Sequence, residues 1–489
     1  MNSGNGLAQQ PSKMWSGRFR EPLDSRFEAW QRSFPFDWRL IQAEVSASMA
    51  HARMLGAAGI LTSEEQERMI AGLRGVGAER LSTERELNDP EAPFAASVAQ
   101  AEDVHHFVEL ELTREIGDLA LKLHTGRSRN EQIATDMRLY VIHTIGLTID
   151  WQRQWALALI ALAQQASDSI MPSYTHLQRA EPVLVAHWLL AYVSMIERDI
   201  SRLQDCKTRM NLCPLGSGAI AGATLALDRT IAAKSLDFDG PTLNSMDATS
   251  DRDFTLEFTQ ALSTFGLHVS RFAEELTLFS TAEFGFLDLS EAFSTGSSAM
   301  PQKKNPDLTE LVRGKSARLF GASATLTMLI KGLPLAYNKD LQEGQEPVFD
   351  AAETTLGILK VLPDFTRSLQ FRFDRMAAAA SSGYLNAMAA ATYLSNKGVP
   401  FRKAHEQVGQ AVRFGLESGR ELQELTLEEL RQFGEAFGED FPAAITLQAT
   451  LDCHDVIGGT ARHRVAKALE AALQRLSQPE ADRGVSRGL

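Results

Sequence analysis

Ile145, Ile149, Gln152, Ala156, Leu159 and Ala163 recur three and four residues apart, and that spacing commits the middle of the chain to a long helix with one apolar face. Leu308, Leu311, Lys315, Leu319, Ala322 and Leu326 repeat the pattern further on. A helix striped in this way draws most of its stability from whatever covers the stripe. Strand-like alternation is rare, and no strand–helix–strand rhythm appears. The stripes would also suit a coiled-coil scaffold, but Gly and Pro interrupt them too often for a fibre. The predicted fold class is therefore all-α, built on a central long-helix bundle. The Ala-rich run from Met376 to Ala391 suits helices that pack closely.

At 489 residues the chain exceeds one core, since single cores stop growing near roughly 250–300 residues. We expect three mainly helical domains. Residues 1–126 mix helices with turn clusters such as Asn88-Asp89-Pro90, and residues 127–375 carry the longest helices. Residues 376–489 hold shorter helices, broken at Gly398-Val399-Pro400 and Gly458-Gly459. The ends, Met1 to about Ser12 and about Gln478 to Leu489, are polar and rich in Gly, Pro and Ser, and are predicted to be disordered.

A net charge of −13 argues against a general nucleic-acid binder, although clustered Arg and Lys can reverse the field locally. Cys206, Cys213 and Cys453 are too scattered for a disulfide framework or a zinc pattern, and read as reduced thiols of a cytosolic protein. The N-terminal stretch lacks the apolar core of a secretory signal. The longest apolar stretches, Trp155 to Ala163 and Val183 to Ile196, fall short of the ~20 residues a membrane span needs. We expect a soluble, cytoplasmic protein with no metal or organic cofactor, because neither a ligand cluster nor a dinucleotide-type glycine loop appears.

Chemistry concentrates in Gly296-Ser297-Ser298-Ala299-Met300-Pro301-Gln302-Lys303-Lys304-Asn305-Pro306-Asp307. Two prolines and a glycine forbid a continuous helix, so hydroxyls, ammonium groups and an amide are displayed on a loop. The stretch resembles the signature of the fumarase/aspartase superfamily, Ser-Ser-x-Met-Pro-x-Lys-x-Asn-Pro. Its Gln-Lys-Lys-Asn-Pro-Asp ending is similar to the argininosuccinate lyase family. Enzymes of this kind remove a proton beside a carboxylate and expel the group on the neighbouring carbon. Negative charge then piles onto a carboxylate that is already anionic, and a fixed cation with hydrogen-bond donors must meet it. The resemblance gives that role to Lys303 and Asn305 and makes Ser297 the catalytic serine. Asp307 and Glu310 have the spacing of a helix-capping box. Glu310 is thus either a cap or, as the resemblance implies, the partner of a catalytic histidine, and both roles could coexist.

Met171-Pro172-Ser173-Tyr174-Thr175-His176-Leu177-Gln178-Arg179-Ala180-Glu181-Pro182 supplies that histidine. Taken alone, His176 would read as structural. Its resemblance to the family's Thr-His-Leu-Gln-Arg-Ala motif makes it an acid/base group and Thr175 a substrate contact. His124-Thr125-Gly126-Arg127-Ser128-Arg129-Asn130-Glu131-Gln132 sets two guanidinium forks around a glycine turn, suited to clasping carboxylates. It is similar to the family's Thr-Gly-Arg-Ser-Arg-Asn-Asp-Gln motif, which carries over Ser128, Arg129 and Asn130 as substrate contacts. Glu131 stands where the motif has Asp.

The resemblance continues in Trp15-Ser16-Gly17-Arg18-Phe19, in Ser33 through Asp37, and in Asp103 with His105. It extends to Pro214 through Ala219, Ser250 through Phe254, and Leu333 through Glu343. It implies substrate contacts at Ser33, Asp103, His105 and Arg252, with Tyr337 and Gln342 at the arginine-like end. Gln345 stands where the family carries a lysine, and Ala389 where many members carry Asp. By the same resemblance the fold assembles as a homotetramer around a 20-helix core, with active sites shared between subunits. Ser297 would remove the Cβ proton and His176 would protonate the leaving nitrogen, although the two roles can be exchanged. Two other readings are a superfamily C–N lyase for an aminodicarboxylate such as ethylenediamine-disuccinate, and a non-catalytic crystallin-like protein. Intact Ser297, Lys303 and His176 speak against the second.

Overall fold

A computed structural model describes residues 21–78 and 89–477. The Trp15–Phe19 motif, Asn88 and the two predicted disordered ends lie outside the described residues. The chain is mainly helical and divides into two compact units. One takes in Met1–Met137, Leu212–Ser250 and Leu335–Gln345; the other takes in Arg138–Asn211, Asp251–Pro334 and Glu346–Leu489.

In the first unit, α1 (Ile41–Ala57), α2 (Ser63–Ala78) and α3 (Val104–Ile116) pack on one another. Local sequence explains their ends. Thr62 and Glu65 exchange side-chain-to-backbone bonds at the start of α2, at 3.0 and 3.2 Å. Asp103 caps α3 by accepting the His106 N–H at 2.8 Å, and Gly117 stops it at a positive φ of 66°, which a glycine adopts at little cost. Phe34 stacks on Phe107 with ring centroids 4.9 Å apart, and both are buried. α4 (Arg129–Ala166) begins in this unit and runs for 38 residues, about 57 Å at 1.5 Å per residue.

The second unit contains the rest of α4 with α5 (Val185–Met210), α6 (Asp253–Phe279), α7 (Asp307–Ile330) and α8 (Gln345–Arg367), the last from Glu346 onward. α6 packs along α7 and against α5. Gly266 permits the α6–α7 approach, since a Cβ there would stand 3.1 Å from Leu319 Cδ1. Trp155 is buried edge-on to Phe265 and Phe272, and its Nε1 donates to Thr366 Oγ1 at 3.1 Å. All six members of the first apolar stripe, Gln152 included, are buried. The second stripe is corrected in its first half. Leu311 is 60% exposed and Lys315 is exposed, and the buried face of α7 runs through Thr309, Val312, Ser316, Leu319, Ala322 and Leu326. A smaller C-terminal core gathers residues such as Leu394, Val408, Leu430 and Phe441.

Among the described residues, four two-stranded sheets punctuate the helices. Only one is long: β1 (Ile170–Thr175) pairs antiparallel with β2 (Gln178–Leu184). The others are two-residue ladders. β3 (Leu212–Cys213) pairs with β4 (Gly240–Pro241), β5 (Leu287–Asp288) with β8 (Gln370–Phe371), and β6 (Thr295–Gly296) with β7 (Lys304–Asn305). No described helix is long and apolar enough to cross a membrane. Cys206 and Cys213 are buried and Cys453 is exposed, and no disulfide joins them.

Candidate active site

Thr175 pairs directly with Gln178, so His176 and Leu177 alone make the turn between β1 and β2. Their φ angles are 54° and 58°. Two successive positive φ values are what a two-residue hairpin of the right twist requires, a geometry that Asn-Gly adopts without strain. A histidine and a leucine here hold the backbone where L-residues lose roughly 1–2 kcal/mol each. The hairpin is secured below the tip, where Ser173 Oγ donates to the Glu181 carbonyl at 2.6 Å. Thr175 and His176 are exposed, and Leu177 is 73% exposed. Candidate acid/base chemistry thus sits at the tip of a strained turn, a setting common to functional residues.

The signature loop is closed at its base by the β6–β7 ladder, with Thr295 opposite Asn305 and Gly296 opposite Lys304. Asp307 reinforces that closure, its Oδ2 accepting from the Thr295 N–H at 2.9 Å and from Thr295 Oγ1 at 2.7 Å. Ser297 is the first residue of the loop proper. Its Oγ accepts from the N–H groups of Ala299 and Met300, at 3.3 and 3.1 Å. Lys303 stays exposed, while Lys304 is anchored to the Leu289 carbonyl at 2.7 Å. Asn305 Nδ2 lies 3.4 Å from the Gly296 carbonyl.

The capping expectation for Glu310 fails. α7 is preceded by Pro306 and has no side-chain cap, because Asp307 is already helical and its carboxylate is engaged by Thr295. Glu310 is exposed and its carboxylate lies 3.8 Å from Arg313. Among the described residues, no hydrogen bond or ion pair joins His176 to Glu310 or to the Ser297 loop. Arg252 is buried and donates to the Asp251 carbonyl at 2.7 Å.

The remaining residues lie in the first unit. Asp103, besides capping α3, pairs with Arg129 at 2.9 Å. Ser128 Oγ accepts from the Asn130 N–H at 3.3 Å, and Asn130 Nδ2 donates to the Ala219 carbonyl at 3.1 Å. Ser33 is buried and donates to Asp37 at 2.7 Å. Gln342 Nε2 reaches the Gln31 carbonyl at 3.0 Å, and Tyr337 is half-buried on the same segment. Glu131 is fully buried. Its Oε2 accepts from the Gly218 N–H at 2.7 Å and its Oε1 from the Ser128 N–H at 3.2 Å. The extra methylene relative to Asp lets one carboxylate both back-cap α4 and hold the 214–223 loop. Gln345 is 3% exposed, and its Oε1 has no hydrogen-bond partner among the described residues. Ala389, in the second unit, is buried.

Of the two guanidinium forks, only Arg129 is presented toward solvent. Arg127 is turned into the core, where it donates to Ser48 Oγ at 2.8 Å and stands 3.8 Å from Glu44. This belongs to a buried polar cluster that sequence reasoning missed. His105 Nδ1 lies 2.8 Å from Glu44 and 3.5 Å from Asp136. Burial pushes Glu44 upward, but His105 and Arg127 outweigh it and hold the carboxyl well below the usual range. Burial pulls the His105 imidazole down, and the charge and hydrogen bond of Glu44 overcome this and raise it. Asp136 is driven well above the carboxylate range by burial and then by Glu44. Asp37, against Asp103, is raised to about 7, mainly by burial. The only hint in the sequence is the spacing of Glu44 with Ser48 and of Gln132 with Asp136, each pair one helical turn apart.

Residues 17–321 match the family model described as lyase, and residues 384–452 match the one described as argininosuccinate lyase C-terminal. The argininosuccinate lyase of Acidobacterium capsulatum is 61% identical, over 95% of this chain and 94% of that protein. The chain belongs to the argininosuccinate lyase family. A second member, from Koribacter versatilis, is 54% identical over 95% of this chain and 97% of its own length. Among solved structures, an EDDS lyase variant with bound fumarate shares the fold, with a TM-score of 0.76 and 24% identity over 90% of this chain and 86% of that one. A fumarate lyase from Mesorhizobium sp. BNC1 does so with a TM-score of 0.68 and 18% identity, over 94% of this chain and 100% of that one. The helical fold expected for the argininosuccinate lyase family is therefore present, and the chain is a carbon–nitrogen lyase by membership.

Proposed function

We propose that this protein cleaves argininosuccinate to arginine and fumarate. Ser297 removes a proton from the succinyl Cβ, the C–N bond breaks, a carbon–carbon double bond forms, and the departing guanidinium nitrogen takes a proton from His176. Lys303 and Asn305 meet the charge that develops on the adjacent carboxylate. Glu310 orients His176. Ser33, Asp103, Ser128, Arg129, Asn130, Thr175, Arg252, Tyr337 and Gln342 hold the substrate, and His105 supports Asp103 from the buried cluster beneath it.

One observation carries the base assignment. Ser297 Oγ receives two backbone N–H donors, from Ala299 and Met300, and these stabilise an alkoxide more than a hydroxyl. Lys303 on the same short loop adds a positive charge. A solvated serine has no such help.

The active protein is a homotetramer, and each site draws its segments from different copies. The second unit alone leaves Leu267 of α6 and Leu311, Phe320 and Met328 of α7 between 60% and 68% exposed, an apolar surface that a bundle formed with other copies would cover. The absence of an in-chain bond from His176 to Glu310 fits the same arrangement. Three cysteines outside any disulfide fit the cytoplasm. The test is direct: purified protein mixed with argininosuccinate should raise fumarate absorbance. Folded, assembled protein that produces no fumarate overturns the reading.

A further inference from the structure

Glu44 of α1, His105 of α3 and Asp136 of α4 bring their polar atoms within 4.8 Å of one another, and none of the three is more than 2% exposed. Two carboxylates cannot both stay ionised at such a separation in a space closed to water. The donors decide which one keeps its charge. Ser48 Oγ and Gln132 Nε2 donate to Glu44 Oε1 at 2.6 and 3.0 Å, and His105 Nδ1 approaches Glu44 Oε2 at 2.8 Å. Arg127 adds its charge 3.8 Å away. Asp136 receives nothing comparable, and neither of its oxygens has a donor among the described residues. An ionised carboxylate in that position would be buried without a single hydrogen bond. A protonated one needs only an acceptor, and Glu44 is beside it.

We propose that Glu44 and Asp136 share one proton, carried on Asp136, and that this pair is a positioning element for the substrate-binding ends of α3 and α4. The inference rests on the reading of Asp103 and Arg129 as substrate contacts. Asp103 precedes His105 by two residues at the cap of α3. Gln132 and Asp136 follow Arg129 along one face of α4, three and seven residues on. The Asp103–Arg129 bridge, 2.9 Å long and less buried, therefore sits on two helix ends whose relative placement is fixed beneath it. Asp37, with its raised carboxyl, faces the same groups from the Ser33 segment. The three ligating side chains also have the composition of a metal site. The Arg127 guanidinium and the His105 Nδ1 already face Glu44, however, and a divalent ion would need Asp136 ionised as well.

The two carboxyls should respond unequally to substitution. Asparagine imitates a protonated aspartate, donating its N–H to Glu44, so Asp136→Asn should leave kcat and KM for argininosuccinate within about twofold. Glu44→Gln strands Arg127 without a counter-charge, and should raise KM about tenfold or more with a smaller change in kcat. Infrared spectra give a readout that needs no activity. At about pH 8, far above the ~4 of ordinary carboxyls, wild type should show the carbonyl stretch of one protonated carboxylic acid, and Asp136→Asn should lose it. That band appears even if argininosuccinate is not the substrate, and even if Glu44→Gln fails to fold. Absence of the band, equal damage from both substitutions, or zinc binding to wild type that Asp136→Asn abolishes would each overturn the proposal.

Discussion

Replacing Glu131 by Asp restores the family motif, yet in this chain it should loosen the site. The carboxylate would retract by about one carbon–carbon bond, ~1.5 Å. Its 2.7 Å contact with the Gly218 N–H would open to roughly 4 Å if the bond to Ser128 is kept, beyond hydrogen-bond range. A hydrogen bond to a charged group contributes roughly 1.5–3 kcal/mol, and the Gly218 donor has no water to turn to. The cost should fall on the 214–223 loop first, because α4 keeps its cap. Hydrogen exchange of the peptide spanning that loop reads this locally, without requiring the whole assembly to unfold in one step. At ~1.4 kcal/mol per factor of ten, Glu131→Asp should speed exchange at Gly218 by about 10- to 100-fold. Exchange of the α4 amides beyond its first turn should not change. If Gly218 exchanges within about twofold of wild type, the loop does not depend on the longer arm, and the explanation offered for Glu131 is wrong.

Asp37→Asn tests the buried acid beneath Ser33. A carboxyl raised from 3.8 to about 7 supports folding below about pH 4, and that support is lost progressively as pH rises to about 7. At ~1.36 kcal/mol per pH unit the loss is on the order of 4 kcal/mol, so denaturant titrations should show the variant gaining over wild type from about pH 4 to 8. A constant difference across that range would refute the assignment. Ser297→Ala should keep the assembly and stability within about 1 kcal/mol, because the two freed N–H groups lie on an exposed loop that water reaches, but should abolish nearly all turnover. Mixed with His176→Asn subunits and allowed to exchange, it should recover part of the activity, and verified mixed tetramers that stay dead would sink the shared site. Gln345→Lys buries an ammonium at a position 3% exposed. It should lower the ligand-free melting temperature, and fumarate should restore part of the loss if a carboxylate lies within reach.

The helices were the legible part of the fold. The stripe from Ile145 to Ala163 predicted burial correctly down to Gln152, because a face covered by neighbouring helices leaves a 3.6-residue period in the sequence. On α7 the same logic misplaced the buried face before Leu319, since an exposed apolar residue such as Leu311 reads like a core one when only spacing is counted. Two-residue ladders such as β6–β7 are too short to show a period of two. The β1–β2 hairpin was hidden for another reason: its turn residues, His and Leu, are not those that favour positive φ. Chemistry-bearing loops were legible through their resemblance to a family. The Glu44–Asp136 cluster was not, because acidic residues on a helix normally signal a solvated face, and only the packing of three helices removes the water.

The left-handed turn at His176 and Leu177 also bears on how this protein would respond to selection. A library randomised at these two positions and sorted for thermal tolerance should drift toward Asn and Gly, which relieve a backbone penalty of about 1 kcal/mol per position. The same library sorted for turnover should retain histidine at 176 whatever that costs in stability. Leu177 decides between two histories. If activity-sorted clones accept Gly there, the leucine is a remnant that drift has not removed. If they reject it, the exposed side chain at the tip is under selection in its own right, and the hairpin carries two working residues rather than one.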